Sequence, residues 1–252
     1  MSIDFRYVAH TDRGLVRERN EDAVRIFAPH AEAIVALVCD GMGGHQGGGL
    51  ASDTAIRILE KIWKENHPHC PPDQVIQCWY KGFAEVQAKL NQFADKEPEL
   101  SLMGTTCTGV FLDAITHQAH WAHIGDSRLY LFRNQILTQI SEDHTLVQRW
   151  VREGKLKPEE VWQHPRGNVL WQALSAGSKT TIYPDTGVLE TQRGDCLLLC
   201  SDGLSDMIRD QDIARMLLQP HSDIDERARQ IVAAANEAGG RDNISLILIE
   251  VE

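Results

Sequence analysis

Four carboxylates stand where a run of apolar residues meets a turn. Val35-Ala-Leu-Val-Cys leads into Asp40-Gly41, Trp121-Ala-His-Ile-Gly into Asp126, and Cys196-Leu-Leu-Leu-Cys-Ser into Asp202-Gly203. Asp242 precedes the run Ile244-Ser-Leu-Ile-Leu-Ile249 in mirror order. A short apolar run bounded by turn residues reads as a buried strand. Each Asp then sits at the rim of the core, where a bare carboxylate is costly to desolvate. Any one Asp-Gly is most simply a turn, but four at the ends of four runs would require four coincidences. Gathered at one edge of a sheet, they repel unless cations lie between them. Oxygen donors with few nitrogen or sulfur neighbours suit Mg2+ or Mn2+ rather than zinc. Two such ions about 3.5–4 Å apart can activate a bridging water and neutralise a transferring phosphoryl group.

On that hypothesis Asp40 is the bridging ligand and the Gly41 carbonyl a second ligand from the same turn. Asp202 and Asp242 complete the first ion. The glycines at 41, 43, 44, 47, 48 and 49 could instead cradle a nucleotide phosphate. A nucleotide loop needs a Lys-Ser/Thr pair after its glycines, and here His45-Gln46 and Leu50-Ala51 fill that place. A turn that brings backbone close to metal is the better reading. Upstream, Arg13-Gly-Leu-Val-Arg17-Glu-Arg-Asn-Glu21-Asp22 sets charges at close spacing. A guanidinium can fork two phosphate oxygens, which makes Arg17 a substrate anchor and Glu21 a ligand through water. Five arginines fall within the first 25 residues, and a positive patch and a solvated basic face both fit them. His120 and His123 are three apart in an expected strand, so they face opposite ways and share no metal.

The elements that position these groups follow from periodicity. Strands are expected at 3–9, 23–28 and 33–39, the first two flanking a polar loop at 11–22. Apolar residues at helical spacing (Ala55, Ile58, Leu59, Ile62, Trp63) predict a helix over 48–65. Pro71 and Pro72 open a second, with Val75, Trp79, Phe83, Val86, Leu90 and Phe93 on one face. The stretches 105–112, 118–124, 128–133 and 136–140 read as one antiparallel meander. Residues 145–177 leave the sheet as a flap with short helical pieces at 145–153 and 158–163. Strands at 187–192 and 196–201, helices at 209–218 and 223–238, and a last strand at 243–251 complete an α+β pattern with helix-covered sheets. No linker or repeat interrupts it, so residues 1–252 are expected to be a single domain.

The totals bound the function. A formal charge of −11 argues against nonspecific binding to nucleic acid or membrane surfaces. Six cysteines (Cys39, Cys70, Cys78, Cys107, Cys196, Cys200) form no CxxC pair and read as reduced, mostly core residues. That points to the cytoplasm. The N-terminus has no apolar leader, and no run approaches the ~20 residues of a membrane span.

Six motifs in order carry a resemblance. Arg17…Glu21-Asp22, Asp40-Gly-Met-Gly-Gly-His45, Gly104-Thr-Thr106, Gly125-Asp-Ser-Arg128, Ser201-Asp-Gly-Leu-Ser-Asp206 and Gly240-Arg-Asp-Asn243 together resemble the metal-dependent protein phosphatases of the type 2C family, in their bacterial form. The resemblance spans residue 11 to the end. It implies a central β-sandwich of two mainly antiparallel sheets flanked by helices on both sides. It also implies a binuclear Mn2+ or Mg2+ centre, and hydrolysis of phosphoserine and phosphothreonine by direct attack of a metal-bridging hydroxide. Carried over by position, Asp40, Asp202 and Asp242 hold the first ion. Asp40 and Gly41 hold the second, with Glu21 acting through water. Asp126 with Asp202 matches a third, weaker ion, and Arg17 takes the phosphate.

One position departs. Animal members place a proton-donating His directly after the metal-site glycine, where this chain has Met42, as bacterial relatives usually do. His45 is the nearby alternative donor, although a lone loop histidine is more often structural, and a metal-bound water could serve instead. The implied partners are phosphorylated proteins and a cognate Ser/Thr kinase, and the expected state is a monomer. Two other readings stay open: a phosphatase of the same fold acting on phosphotyrosine or small phosphate esters, and a catalytically silent phosphoprotein-binding module.

Overall fold

The computed structural model describes residues 3–43, 47–65, 72–162, 164–178, 182–219 and 223–252. Strands β1 (Phe5–Asp12), β2 (Ala23–His30), β3 (Ala33–Cys39) and the two-residue β4 (Gly41–Met42) precede two long helices, α1 (Gly47–Glu65) and α2 (Pro72–Lys96). Strands β5 (Gly104–Thr105), β6 (Cys107–Asp113), β7 (Gln118–Ile124), β8 (Arg128–Arg133) and β9 (Ile136–Gln139) follow. Helix α3 (Leu146–Arg152) then leads to β10 (Leu174–Ser175), β11 (Asp185–Glu190) and β12 (Cys196–Cys200). Helices α4 (Asp202–Ser205), α5 (Asp210–Leu217) and α6 (Ile224–Glu237) and strand β13 (Ile244–Val251) end the chain.

Two five-stranded sheets, ordered β1-β13-β12-β8-β9 and β11-β7-β6-β3-β2, form a sandwich, and a small third sheet is ordered β10-β5-β4. All strand pairs are antiparallel. The continuous apolar runs follow from cover on both faces. Along β3, Ile34, Ala36 and Val38 enter the layer between the sheets, while Val35, Leu37 and Cys39 pack under α1 and α2. Along β12, Leu197 and Leu199 face the sandwich interior, and Cys196, Leu198 and Cys200 face the layer of α5 and α6. Under α1, Trp63 stacks on Phe111 with ring centroids 4.8 Å apart and meets Trp79 edge-on at 4.8 Å. The α+β sandwich with helices on both outer faces is the expected architecture.

Several local expectations need correction. The four-strand meander is two hairpins in different sheets: β6 and β7 lie in one, β8 and β9 in the other. The chain crosses between them at Gly125 (φ 106), a left-handed backbone that a side chain resists. A Cβ there would also lie 2.5 Å from Thr106. The segment 145–177 does not leave the sheets entirely, because Leu174 and Ser175 pair with Thr105 and Gly104. The helical piece at 158–163 is a single 3-10 turn, Pro158–Glu160. Strand β11 is shifted from its expected place because its register on β7 runs from Asp185↔His123 to Glu190↔Gln118. Pro71 and Cys70 lie outside the described residues; Cys39, Cys107, Cys196 and Cys200 are buried free thiols, and Cys78 is buried as well. No helix among the described residues is long and apolar enough to cross a membrane.

Candidate metal centre

The four strand-end carboxylates meet at one end of the sandwich. Asp40 follows β3, Asp202 opens α4 directly after β12, Asp242 lies two residues before β13, and Asp126 sits in the crossover from β7 to β8. The Asp40 backbone is held on both sides. Its amide donates to Thr106 Oγ1 at 3.0 Å, and its carbonyl accepts from the Thr106 amide and from Thr105 Oγ1, each at 2.9 Å. Thr106 Oγ1 also meets Ser127 Oγ at 2.7 Å. The Gly104-Thr-Thr106 motif thereby ties the Asp40 turn to the Asp126 crossover.

The Asp40 and Asp202 carboxyls lie close enough to act on each other directly. Burial, then the charges of Asp202, Asp22 and Asp126, push Asp40 well above the ordinary carboxylate range. Burial and Asp202 do the same to Asp126. Asp202 is pushed up to about 7 by burial and then by Asp206 and Asp242. Asp22 also rises to about 7, chiefly through burial. Asp202 Oδ1 and Asp22 Oδ1 are buried with no hydrogen-bond partner. Among the described residues, the guanidinium that touches these acids is that of Arg17, whose Nη2 donates to Asp242 Oδ2 at 2.5 Å with the side chain 52% exposed. Arg128, beside Asp126, is held by Asp143, Nε to Oδ1 at 2.9 Å and Nη2 to Oδ2 at 2.7 Å. As they stand, no three His, Cys, Asp or Glu side chains among the described residues close into a finished coordination sphere. What they form is a cluster of mutually repelling acids with unfilled oxygen donors, an environment that divalent cations satisfy.

Glu21 and Gly41 are brought together by backbone contact. A Cβ on Gly41 would lie 2.3 Å from the Gly48 carbonyl oxygen and 2.5 Å from that of Glu21. A Cβ on Gly48 would lie 2.8 Å from the Gly41 carbonyl and 2.9 Å from Glu21 Cδ. The glycines thus let the start of α1 press the Asp40-Gly41 turn against Glu21, and this replaces the phosphate-cradle alternative. The Glu21 amide is set by Asn243 Oδ1 at 2.8 Å, and its carbonyl accepts from Ser52 Oγ at 2.6 Å. Met42 pairs with Gly104 at the same edge. His45 lies outside the described residues. His120 and His123 face opposite sides of β7, as expected: His120 against Phe111 under the helices, His123 fully buried beside Thr108.

Sequence reasoning gave no role to four neighbours, three of which lie in its motifs. Asp206 lies one helical turn beyond Asp202, a spacing that sets both on one face, and that signal was readable. Asp22 accepts from Ser201 Oγ at 2.8 Å, a contact across the two ends of the chain that no local pattern announces. Asp143 braces Arg128 from 15 residues away. Asn243 donates to the Arg13 and Arg19 carbonyls, each at 2.9 Å, and so holds the Arg17 loop.

A helix-flanked double sheet with a carboxylate cluster at one end and an exposed arginine over it defines a class of metal-dependent hydrolases. The family model of protein phosphatase 2C matches residues 9–243. The serine/threonine phosphatase Stp of Listeria monocytogenes is 36% identical over 250 residues, 99% of this chain and 96% of that protein. The solved serine/threonine phosphatase of S. agalactiae superposes with a TM-score of 0.91 at 30% identity, covering 99% of this chain and 100% of its own. The catalytic domain of the serine/threonine protein phosphatase PstP, solved with two manganese ions, gives 0.82 at 34% identity over 100% and 99% of the two chains. The chain belongs to the protein phosphatase 2C family.

Proposed function

We propose that this protein is a metal-dependent phosphatase of phosphoserine and phosphothreonine in proteins, reversing the action of a cognate Ser/Thr kinase. The observation that carries the reading is the gathering of Asp40, Asp126, Asp202 and Asp242 at one end of the sandwich, with buried carboxylate oxygens left unfilled, under the exposed guanidinium of Arg17. Two divalent ions fit this donor set. Asp40, Asp202 and Asp242 would hold one, and Asp40 and the Gly41 carbonyl the other, with Glu21 acting through water. Asp126, Asp202 and Asp206 offer oxygens for a third. Manganese is the first ion to test, since a relative was solved with two. When bound, the ions supply an activated water and neutralise charge on the phosphoryl group.

Arg17 forks the phosphate oxygens, and its contact with Asp242 keeps the guanidinium beside the metal acids in the resting protein. Met42 cannot donate a proton to the leaving alkoxide, which leaves His45 or water as donor. Residues 1–252 act as one catalytic domain with 145–177 as a flap over the cleft, in a monomeric, cytoplasmic enzyme. The test is hydrolysis of phosphothreonine and phosphotyrosine peptides across a manganese titration. Asp202→Asn is expected to lower turnover of the phosphothreonine peptide by ~100-fold or more with circular dichroism unchanged. Full activity in that variant, or turnover confined to phosphotyrosine, would overturn the proposal.

A further inference from the structure

The carboxylate cluster opens into a cleft of about 1280 Å3 that runs between the 145–168 segment and the α4–α5 wall. Its floor is acidic, but two guanidiniums line it besides the paired Arg128. Arg209 lies over the Trp162 ring, 4.0 Å from its centroid. The Arg241 side chain runs back across Gly239, where Met207 Sδ also packs. Both arginines are exposed, and neither has a carboxylate partner among the described residues. The cleft's other acids have partners: Asp143 holds Arg128, Asp210 accepts from the Tyr130 hydroxyl at 3.0 Å, and Glu142 faces Arg152 at 3.7 Å. The backbone beneath Arg241 is also tied to the loop of the phosphate anchor, since the Gly240 carbonyl accepts from the Leu15 and Val16 amides at 2.8 and 3.2 Å. Arg17 and Arg241 therefore stand at a set spacing on one rim.

We infer that Arg241, assisted by Arg209, forms an anion subsite that selects substrates carrying a second negative group close in sequence to the phosphoresidue. This rests on the phosphatase reading above and adds a substrate preference to it. With the floor acids engaged by cations, the two wall guanidiniums are the cleft-lining cations, among the described residues, with no carboxylate partner, and each can receive a carboxylate or a second phosphoryl group. Both are exposed, so the attraction is screened by salt.

The test compares kcat/KM for three phosphothreonine peptides: one with neutral flanks, one with Asp or Glu at positions one to four on either side, and one with a second phosphothreonine. The manganese-loaded wild type is expected to favour at least one anionic peptide over the neutral one by ~5- to 10-fold. Which peptide it favours assigns the subsite to carboxylate or to phosphoryl. Arg241→Ala should bring that ratio close to one, Arg241→Glu should drive it below one, and Arg209→Ala should reduce it in part. Raising the salt should shrink the wild-type ratio. A purely structural role for Arg241 would lower all three peptides together and leave the ratio intact, which would overturn the inference. So would a wild-type ratio of one on peptides that are all turned over. A wild type inactive on every peptide would instead fail the phosphatase reading itself.

Discussion

Asp202 is the residue on which the acidic cluster converges. It feels the charges of Asp206 and Asp242, lies close to Asp40, and keeps one oxygen buried and unpaired. Such a group is costly without a cation, so its retention argues for binding rather than for stability. Arg17 is the opposite case, an exposed side chain whose only described partner is Asp242. Arg17→Ala is expected to lower kcat/KM on phosphothreonine peptides by roughly 10- to 100-fold, the worth of a charge-assisted contact of ~1.5–3 kcal/mol. Arg17→Lys should recover only part, because an ammonium cannot fork two oxygens. Steady-state kinetics of both variants check this.

His123 carries a different prediction. Its Nδ1 pairs with the Thr108 hydroxyl at 2.9 Å and its Nε2 donates to the Glu142 carbonyl at 3.1 Å. Burial, then the nearby His144, lower its pKa from 6.5 to about 3. The unfolded chain takes the proton more readily than the folded one. The His123 contribution is therefore complete above pH 6.5 and is lost as pH falls toward 3, at about 1.4 kcal/mol per pH unit. Urea midpoints between pH 7 and 5 should fall less steeply in His123→Asn than in the wild type.

At the scale of elements, the placement of the centre depends on close approach and on one crossover. The first turn of α1 presses on the Asp40-Gly41 turn with no side chain between them. Gly48→Ala puts a methyl where the Gly41 carbonyl and the Glu21 carboxyl now are. We expect a stability loss of about 1–3 kcal/mol and manganese affinity weakened by ~10-fold, read by calorimetric titration. Strand β7 runs in the same direction as β3, so Asp126, two residues past its end, lies at the same end as Asp40, and the crossover at Gly125 then sends β8 into the other sheet beside β12. A meander within one sheet would have left β8 beside β7 and its Arg128 far from Asp210.

At the scale of the molecule, the cluster is held by the layer between the sheets. Val38 on β3 and Leu199 on β12, both fully buried, belong to that layer and lie just before Asp40 and Asp202. Leu199→Ala is expected to cost about 3 kcal/mol and to lower Tm by roughly 6–12 °C for a chain of this size, as thermal unfolding would show. The cleft between the flap segment and α4–α5 is also a property of the whole chain. Its lining runs from Asp126 to Asp242 and includes residues of both sheets' connections.

The sequence by itself determined the strand-end acids, the helix faces and the likeness to a phosphatase family. These are local patterns, set by period and by turn chemistry within a few residues. Only the tertiary structure decided that the β6–β9 stretch divides between two sheets. It alone joined Ser201 to Asp22, braced Arg128 with Asp143, and left Arg209 and Arg241 on the cleft wall with no carboxylate partner among the described residues. Those facts depend on groups distant in the chain becoming neighbours. The physical reason is that burial and charge act through space, whereas sequence spacing reports only what lies along one strand or one helix face.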